Sequence, residues 1–408
     1  MRSSFISLFE LLKISDFTRL WLSNGMWWQA MWMEMLIVGW LGLELTDSAW
    51  WVSVLGFYRS IPLFLIGPWG ALVIDRFPRR LLLSVFQGLG SMAALLVLLA
   101  FLSGSLNYVQ LALFSFIQGV IWALDWPTRR AIIPDLVGRE RVVDALVLEN
   151  GIQNVTRILG PISGGIALEL LGVGGGLALL SVLGFGSFVL LLGITSCSQA
   201  PTVEGSFRTV IDTTRQGWKF VRTNRKIWGV FLITIFMNVW AFPYMNLLPV
   251  FARDILGQGP IGLGWLGAAH GIGATAGLLI IHWGRKRLSN EWLFSGGSLL
   301  LSFGLILFST STSYHLSLLL LFISGLGQAG FSVMQSSIIL VESTEDMRSR
   351  AMGALVLAIG VGPLGRLQSG SMAEELTVSW AVGIMALAAL IATLGTMGYL
   401  KGFIRGRS

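Results

Sequence analysis

Runs of predominantly apolar residues recur twelve times along the chain, centred in 19–43, 49–73, 81–103, 107–126, 143–170, 176–197, 228–251, 261–283, 290–310, 314–340, 352–373 and 379–400. Each suffices to cross the hydrocarbon core of a bilayer, for which a helix needs ~20 residues. Inside a bilayer the backbone must satisfy its own polar groups, so such runs read as helices rather than open strands. Only 12% of the 408 residues are charged, against ~25% in soluble domains. The 50 glycines and 17 tryptophans suit membrane helices, where small residues allow close approach and Trp favours the interface. The sequence predicts an all-α membrane protein with twelve transmembrane helices. The spans 143–170 and 352–373 are set apart by the charges they contain.

Basic residues orient the chain. Of the 28 Lys and Arg, 24 fall in segments on the side of the termini. The opposite side has Arg253, and Arg59, Arg157 and Arg366 lie within spans. The positive-inside bias therefore predicts a multi-pass protein of a bacterial cytoplasmic (inner) membrane with both termini cytoplasmic. The first residues, with Glu10, Lys13 and Asp16, lack the pattern of a cleavable signal peptide. "SLFELLK" reads as an amphipathic lead-in along the membrane surface. The widest gap, 199–226, is polar and basic, with helical spacing at Val210, Thr214, Trp218 and Val221. It predicts a cytoplasmic linker with a surface helix meeting lipid headgroups rather than nucleic acid. That linker divides a six-helix bundle in 1–198 from a second in 227–408.

The two halves align at an offset of 209 residues. "RERVVDALVL" at 139–148 matches "RSRAMGALVL" at 348–357, Arg157 falls on Arg366, and Arg76 falls on Arg285. The pattern is two pseudo-symmetric six-helix bundles, and many secondary transporters are built from such parallel repeats with substrate at the midplane.

Local motifs add to this. "GALVIDRFPRR" at 70–80 carries Asp75, Arg76, Arg79 and Arg80 after the second span. "ALDWPTRRAIIPDLV" at 123–137 holds Asp125 and Arg129, and "TRILGPISGG" at 156–165 holds Gly160, Pro161, Gly164 and Gly165. With "LLPVFARDILG" at 247–257, these segments resemble the major facilitator superfamily, in particular the branch of the enterobactin exporter and macrolide efflux proteins. The first is similar to that superfamily's loop signature, with Ala71 and Pro78 replacing its glycines. The resemblance implies the major facilitator fold and a cytoplasmic gate made of Asp75, Arg76, Arg79, Arg80, Asp125 and Arg129. The glycine–proline segment resembles an antiporter signature, with Thr156 in place of its first glycine. Gly160-Pro161 is expected to kink the helix and Gly164-Gly165 to permit close packing. In the fourth span "SFIQG" places Ser115 where drug–proton antiporters carry an arginine. Proton coupling is not inherited through that position.

Ionisable groups at membrane depth cost at least ~2.5 kcal/mol and are functional candidates by default. Glu34 stands twelve residues before Thr46 and Arg59 twelve after Asp47. Both lie ~18 Å below the turn joining the first two helices, at 1.5 Å per residue. An ion pair there is either a structural fixture or, with Glu149, the proton-coupling group. Glu149, Gln153 and Arg157 recur at i, i+4 and i+8, with Asn150 and Asn154 beside them. That stripe is expected to line a central cavity, with Arg366 facing it from the other half. The joint field of the two arginines favours anionic or electron-rich oxygens such as catecholates. Asn238, Asn246, His270 and Gln335 are further cavity candidates. On a helical wheel Trp27 and Met31 share the face of Glu34, so that face, rather than Trp28 or Trp32, is expected to border the cavity.

A single Cys197 and three histidines without H-E-x-x-H leave little support for a metal site or disulfide, and no cofactor is expected. No nucleophile–base pair and no G-x-x-x-x-G-K-[ST] loop is present, which argues against an enzyme or direct ATP use. The expected function is secondary export of an amphiphilic small molecule, a siderophore or macrolide-like compound, with protons as the driving partner. A nutrient uniporter or importer, and less readily a membrane enzyme or lipid-handling protein, are the alternatives. A monomer is expected.

Overall fold

The computed structural model describes residues 10–70, 74, 76–195 and 207–400, and within them every regular element is helical. α1 spans Ser15–Thr46, α2 Ala49–Ile66, α3 Arg79–Leu102 and α4 Tyr108–Val137. α5 is one helix, Val142–Leu192. α6, Phe207–Thr223, leads to α7, Arg225–Phe236. A π-helical turn, α8 (Tyr244–Val250) and a second π-helical turn, Phe251–Ile255, complete that crossing. α9 (Pro260–Gly284), α10 (Asn290–Ser309) and α11 (Tyr314–Glu342) follow. The last described elements are α12 (Glu345–Gly360), α13 (Gly362–Glu375) and α14 (Val378–Tyr399).

Ten helical stretches among the described residues are long and apolar enough to cross a membrane. One of them contains both arms of α5. α1 stands outside the ten because its tryptophans, Gln29 and Glu34 lower its hydropathy, yet its 32 residues reach ~48 Å. Splitting α5 and adding α1 accommodates twelve crossings.

Four spans, in three places, differ from expectation. No loop separates 143–170 from 176–197: the helix turns at Gly172, whose φ of 68° only glycine adopts cheaply. α4 continues past residue 126 to Val137 despite Pro127 and Pro134. The 352–373 span breaks at Val361 into α12 and α13. Of the expected surface lead-in, the described part is a single 3-10 turn, Leu11–Lys13, with Leu11 fully buried; its first residues lie outside the described set. Linker helix α6 packs on α7. Trp218 meets Trp228 and Phe231 edge-on, and Val221 is buried.

The turn joining α1 to α2 is two residues long. Asp47 closes α1 in a left-handed conformation, φ 50°, and the Ser48 side chain caps α2 by accepting from the Trp51 N–H. Within the helices, buried hydroxyls at Ser115, Thr128, Thr234 and Thr393 donate to carbonyls four residues back, so they need no water.

The halves meet where backbones approach closely. Gly165 faces the Pro260 carbonyl and Gly264 faces that of Pro161, α5 on α9. Gly160 and Gly164 turn the other way, against Trp32 and Met33 of α1. The glycine–proline segment is thus a two-sided packing surface. It does not break the helix, whose dihedrals stay helical through Pro161 and depart only at Gly172.

Candidate functional site

A cavity of about 210 Å³ opens between the halves, walled by residues of α1, α2, α5, α8, α9, α11 and α13. Glu34, Arg59, Arg157, Asn246, His270 and Arg366 border it, together with Ser115 at the foot of α4. The rest of the wall is apolar or aromatic, including Trp32, Met35, Phe242 and Leu248. Arg59 Nε donates to both Glu34 oxygens, at 3.2 and 3.3 Å, and Nη1 donates to the Gln118 carbonyl at 3.3 Å. Its guanidinium lies 5.6 Å from the Trp122 ring. The Glu34 side chain is only 6% exposed, so the pair lives in a poorly hydrated setting where its Coulomb attraction is strong.

Arg157 and Arg366 border the same cavity from opposite halves. Arg157 lies 5.3 Å from the Trp32 ring, a cation–π arrangement. Asn246 and His270 are also in the wall, with Tyr244 edge-on to His270 at 5.8 Å. Asn238 and Gln335 are not. Asn238 donates to the Thr234 carbonyl at 2.9 Å and Gln335 to the Thr234 hydroxyl at 2.7 Å, tying the π-helical turn and α11 to α7.

The stripe on α5 divides. Arg157 reaches the cavity, but Glu149 turns into the N-terminal half, Asn150 is exposed, and Gln153 and Asn154 are half-buried outside the cavity wall. Each i+4 step rotates about 40°. Over two steps that drift carries the two ends of the stripe onto different surfaces.

The expected cavity face of α1 is also corrected. Trp32, Met35 and Gly39 face the central cavity, whereas Trp27 and Met31 border a second, smaller cavity inside the N-terminal half, of about 40 Å³. Glu34 and Arg59 border both. The polar residue marks the edge of the cavity face, since its ion pair is built into the wall of its own bundle.

Asp125 and Arg129 are not at a cytoplasmic gate. They form an ion pair on one face of α4, with side chains 0% and 2% exposed. Because α4 runs on to Val137, these residues stand inside the bundle rather than in a loop. Arg129 donates to Asn24 Oδ1 at 2.6 Å, Ser23 Oγ at 3.2 Å and Gln87 Oε1 at 2.9 Å, and sits 4.8 Å from the Trp27 ring. Asn24 and the Trp28 indole donate to Glu149, at 2.7 and 3.2 Å. Asp125 engages Arg129 through Oδ2 alone, and its buried Oδ1 has no partner among the described residues.

Asp75 lies outside the described residues. Arg79 pairs with Asp135 at 2.8 Å and donates to the Ala131 carbonyl, bonding α3 to α4 within one half. Arg80 donates to the Leu192 carbonyl at 2.6 Å, at the C-terminal end of α5, where a cation complements the helix dipole. Arg76 is exposed.

Sequence reasoning missed a clasp at the opposite end of the molecule. Arg253 pairs with Asp47 at 2.5 Å and with Asp254 at 2.6 Å. Glu374 accepts from the Ser48 hydroxyl at 3.0 Å and from the Trp50 N–H at 3.3 Å. Glu169 accepts from the Ile261 N–H at 3.0 Å. These contacts join the halves on the side away from the termini. The lone Arg253 on that side was the only sequence signal for them. Trp32, Tyr244 and Gln328 were also missed, and nothing distinguishes them by type from lipid-facing or packing residues.

Comparison with known proteins adds independent observations. The family model described as transmembrane secretion effector matches residues 6–400. The staphyloferrin A transporter of Staphylococcus aureus (strain NCTC 8325 / PS 47) is 21% identical over 229 residues, 55% of this chain and 56% of that protein. The uncharacterized MFS-type transporter YfmI of Bacillus subtilis (strain 168) is 24% identical over 258 residues, 61% of this chain and 62% of that one. The chain thus spans less than two thirds of the length of either relative. Among solved structures, a POT family transporter in complex with 5-aminolevulinic acid superposes with a TM-score of 0.75 at 14% identity, over 97% of this chain and 96% of that one. At that identity the likeness is one of fold.

Proposed function

The chain belongs to the transmembrane secretion effector family of major facilitator transporters, and from that premise we propose that it exports an amphiphilic small molecule by alternating access, in exchange for protons. It is a multi-pass secondary transporter, not an enzyme. The observation that carries the finer reading is the Glu34–Arg59 ion pair, set in the wall of a cavity between the halves. A carboxylate there is held by Arg59 and loses its partner if the guanidinium moves away. Rocking of the halves that changes their separation takes up or releases a proton, which supplies the coupling that Ser115 lacks. The membrane is a bacterial cytoplasmic membrane and the termini are cytoplasmic, by the distribution of Lys and Arg. The two bundles, 1–198 and 227–408, move about the contact of α5 with α9, and 199–226 links them. A siderophore substrate is favoured by the staphyloferrin A transporter's similarity, and a macrolide-like one by the apolar wall.

The test uses inverted membrane vesicles carrying the protein and acidified inside. A catecholate siderophore or a macrolide added outside should release protons, and Glu34→Gln vesicles should not respond. Proton release unchanged in the variant would move the coupling to another group, Glu149 first.

A further inference from the structure

Buried polar atoms without partners are scarce in folded proteins, and each calls for an explanation. Among the described residues, six of thirteen such atoms belong to one cavity wall. Nε of Arg157, Nε of Arg366, Nδ2 of Asn246, Nδ1 of His270, Nε1 of Trp32 and Oε1 of Gln328 all lack a hydrogen-bond partner, and all six residues line the central cavity. Three arginines and one glutamate border it. Glu34 is taken by Arg59, so two guanidinium groups face the cavity without a carboxylate among the described residues. Arg157 comes from α5 in one half and Arg366 from α13 in the other.

We propose that the cavity binds an amphiphilic dianion whose two separate carboxylates engage Arg157 and Arg366, one on each half, while its apolar body lies against Trp32, Met35 and Phe242. The proposal rests on the transport reading above and names its substrate class. Guanidinium recognises carboxylate through paired, charge-assisted hydrogen bonds. The contact of Arg157 with the Trp32 ring holds that guanidinium in the wall. Asn246 and Trp32, in the same wall, each carry a neutral donor without a partner among the described residues. A neutral or cationic ligand of equal size leaves both half-buried guanidinium groups without a carboxylate.

The test is calorimetry on the purified full chain in nanodiscs with three matched probes: benzylsuccinate, 3-phenylpropionate and dimethyl benzylsuccinate. They share an aromatic body and carry two, one and no carboxylates. Benzylsuccinate should bind about tenfold more tightly than the monoanion, and the diester most weakly. Arg157→Gln and Arg366→Gln should each remove the advantage of the dianion over the monoanion. Arg157→Lys and Arg366→Lys, which keep the charge, should retain part of it and serve where a Gln variant fails to fold. Equal affinity for dianion and diester, no binding of any probe, or a preference for benzylsuccinate that survives both Gln substitutions overturns the proposal. So does tighter binding of dodecyl phosphate, a single lipid-like headgroup. Binding in nanodiscs depends on neither direction nor proton coupling. A failed vesicle assay with intact dianion preference therefore refutes the export reading alone, and the converse result refutes only this one.

Discussion

Glu34 borders two cavities at once, and its consequences differ from those of the other buried charges. Glu34→Gln keeps the shape and loses the proton. Transport driven by a pH gradient should stop while substrate exchange at equal pH continues, which a counterflow assay in liposomes separates; accumulation against a gradient by the variant would make the carboxylate structural. Arg129 is the opposite kind of charge, with Asp125, Asn24, Ser23 and Gln87 all bonded to it. Arg129→Met strands Asp125 in the bundle and should cost about 3–5 kcal/mol, seen as a large fall in thermal unfolding temperature. Arg366→Met removes a cation with no carboxylate partner among the described residues and should leave that temperature unchanged or higher. An equal loss in both variants would contradict the distinction between a network residue and a ligand-facing one. Depth counting from the α1–α2 turn was enough to bring Glu34 and Arg59 together, because antiparallel neighbours share a common origin. The same counting misplaced Asp125 and Arg129, since "WPTRR" looks like a loop when its prolines are taken as the end of a helix.

At the scale of elements, the α5–α9 contact depends on the absence of side chains. A Cβ on Gly165 would come within 3 Å of the Pro260 backbone, and backbone yields less readily than a side-chain end. Gly165→Ile should therefore insert and fold each bundle but push the halves apart at this crossing. Transport should fall by about tenfold or more with near-normal expression, since a separation of that kind disturbs a two-sided site; full activity in Gly165→Ile would show that the crossing is loose. The apolar runs fall on the long helices, and ten stretches are long and apolar enough to cross a membrane, so twelve crossings are accommodated rather than counted. Breaks within crossings were less legible. The π-helical turns at 237–241 and 251–255 and the interruption at Val361 leave the apolar content intact. Only the pairing of the backbone changes there, and composition does not record it.

For the whole molecule, the distribution of polar contacts between the halves sets which face of the cavity is sealed. Arg253 with Asp47, Glu374 with Ser48 and Trp50, and Glu169 with Ile261 hold the side away from the termini. None of these residues is near its partner in sequence except through the fold: Ser48 and Glu374 are 326 positions apart. Hence the clasp could not be read from spacing, while the positive-inside bias, a sum over many residues, could give the sidedness. Exposed ion pairs contribute ~0.2–1 kcal/mol each, so the clasp is a bias and not a lock, as a transporter that must open on this side requires. Arg253→Ala alone should shift the population toward the open form by up to about fivefold, and Arg253→Ala with Glu374→Gln by more. The measurement places a cysteine at Asn246 in the cavity wall, in a Cys197→Ser background, and follows its labelling in whole cells by a membrane-impermeant maleimide. Labelling should rise from parent to single to double variant, because the reagent reaches Asn246→Cys only through the unclasped side. Labelling that stays constant across the series would mean that packing of the helices, not these charges, closes the outer face.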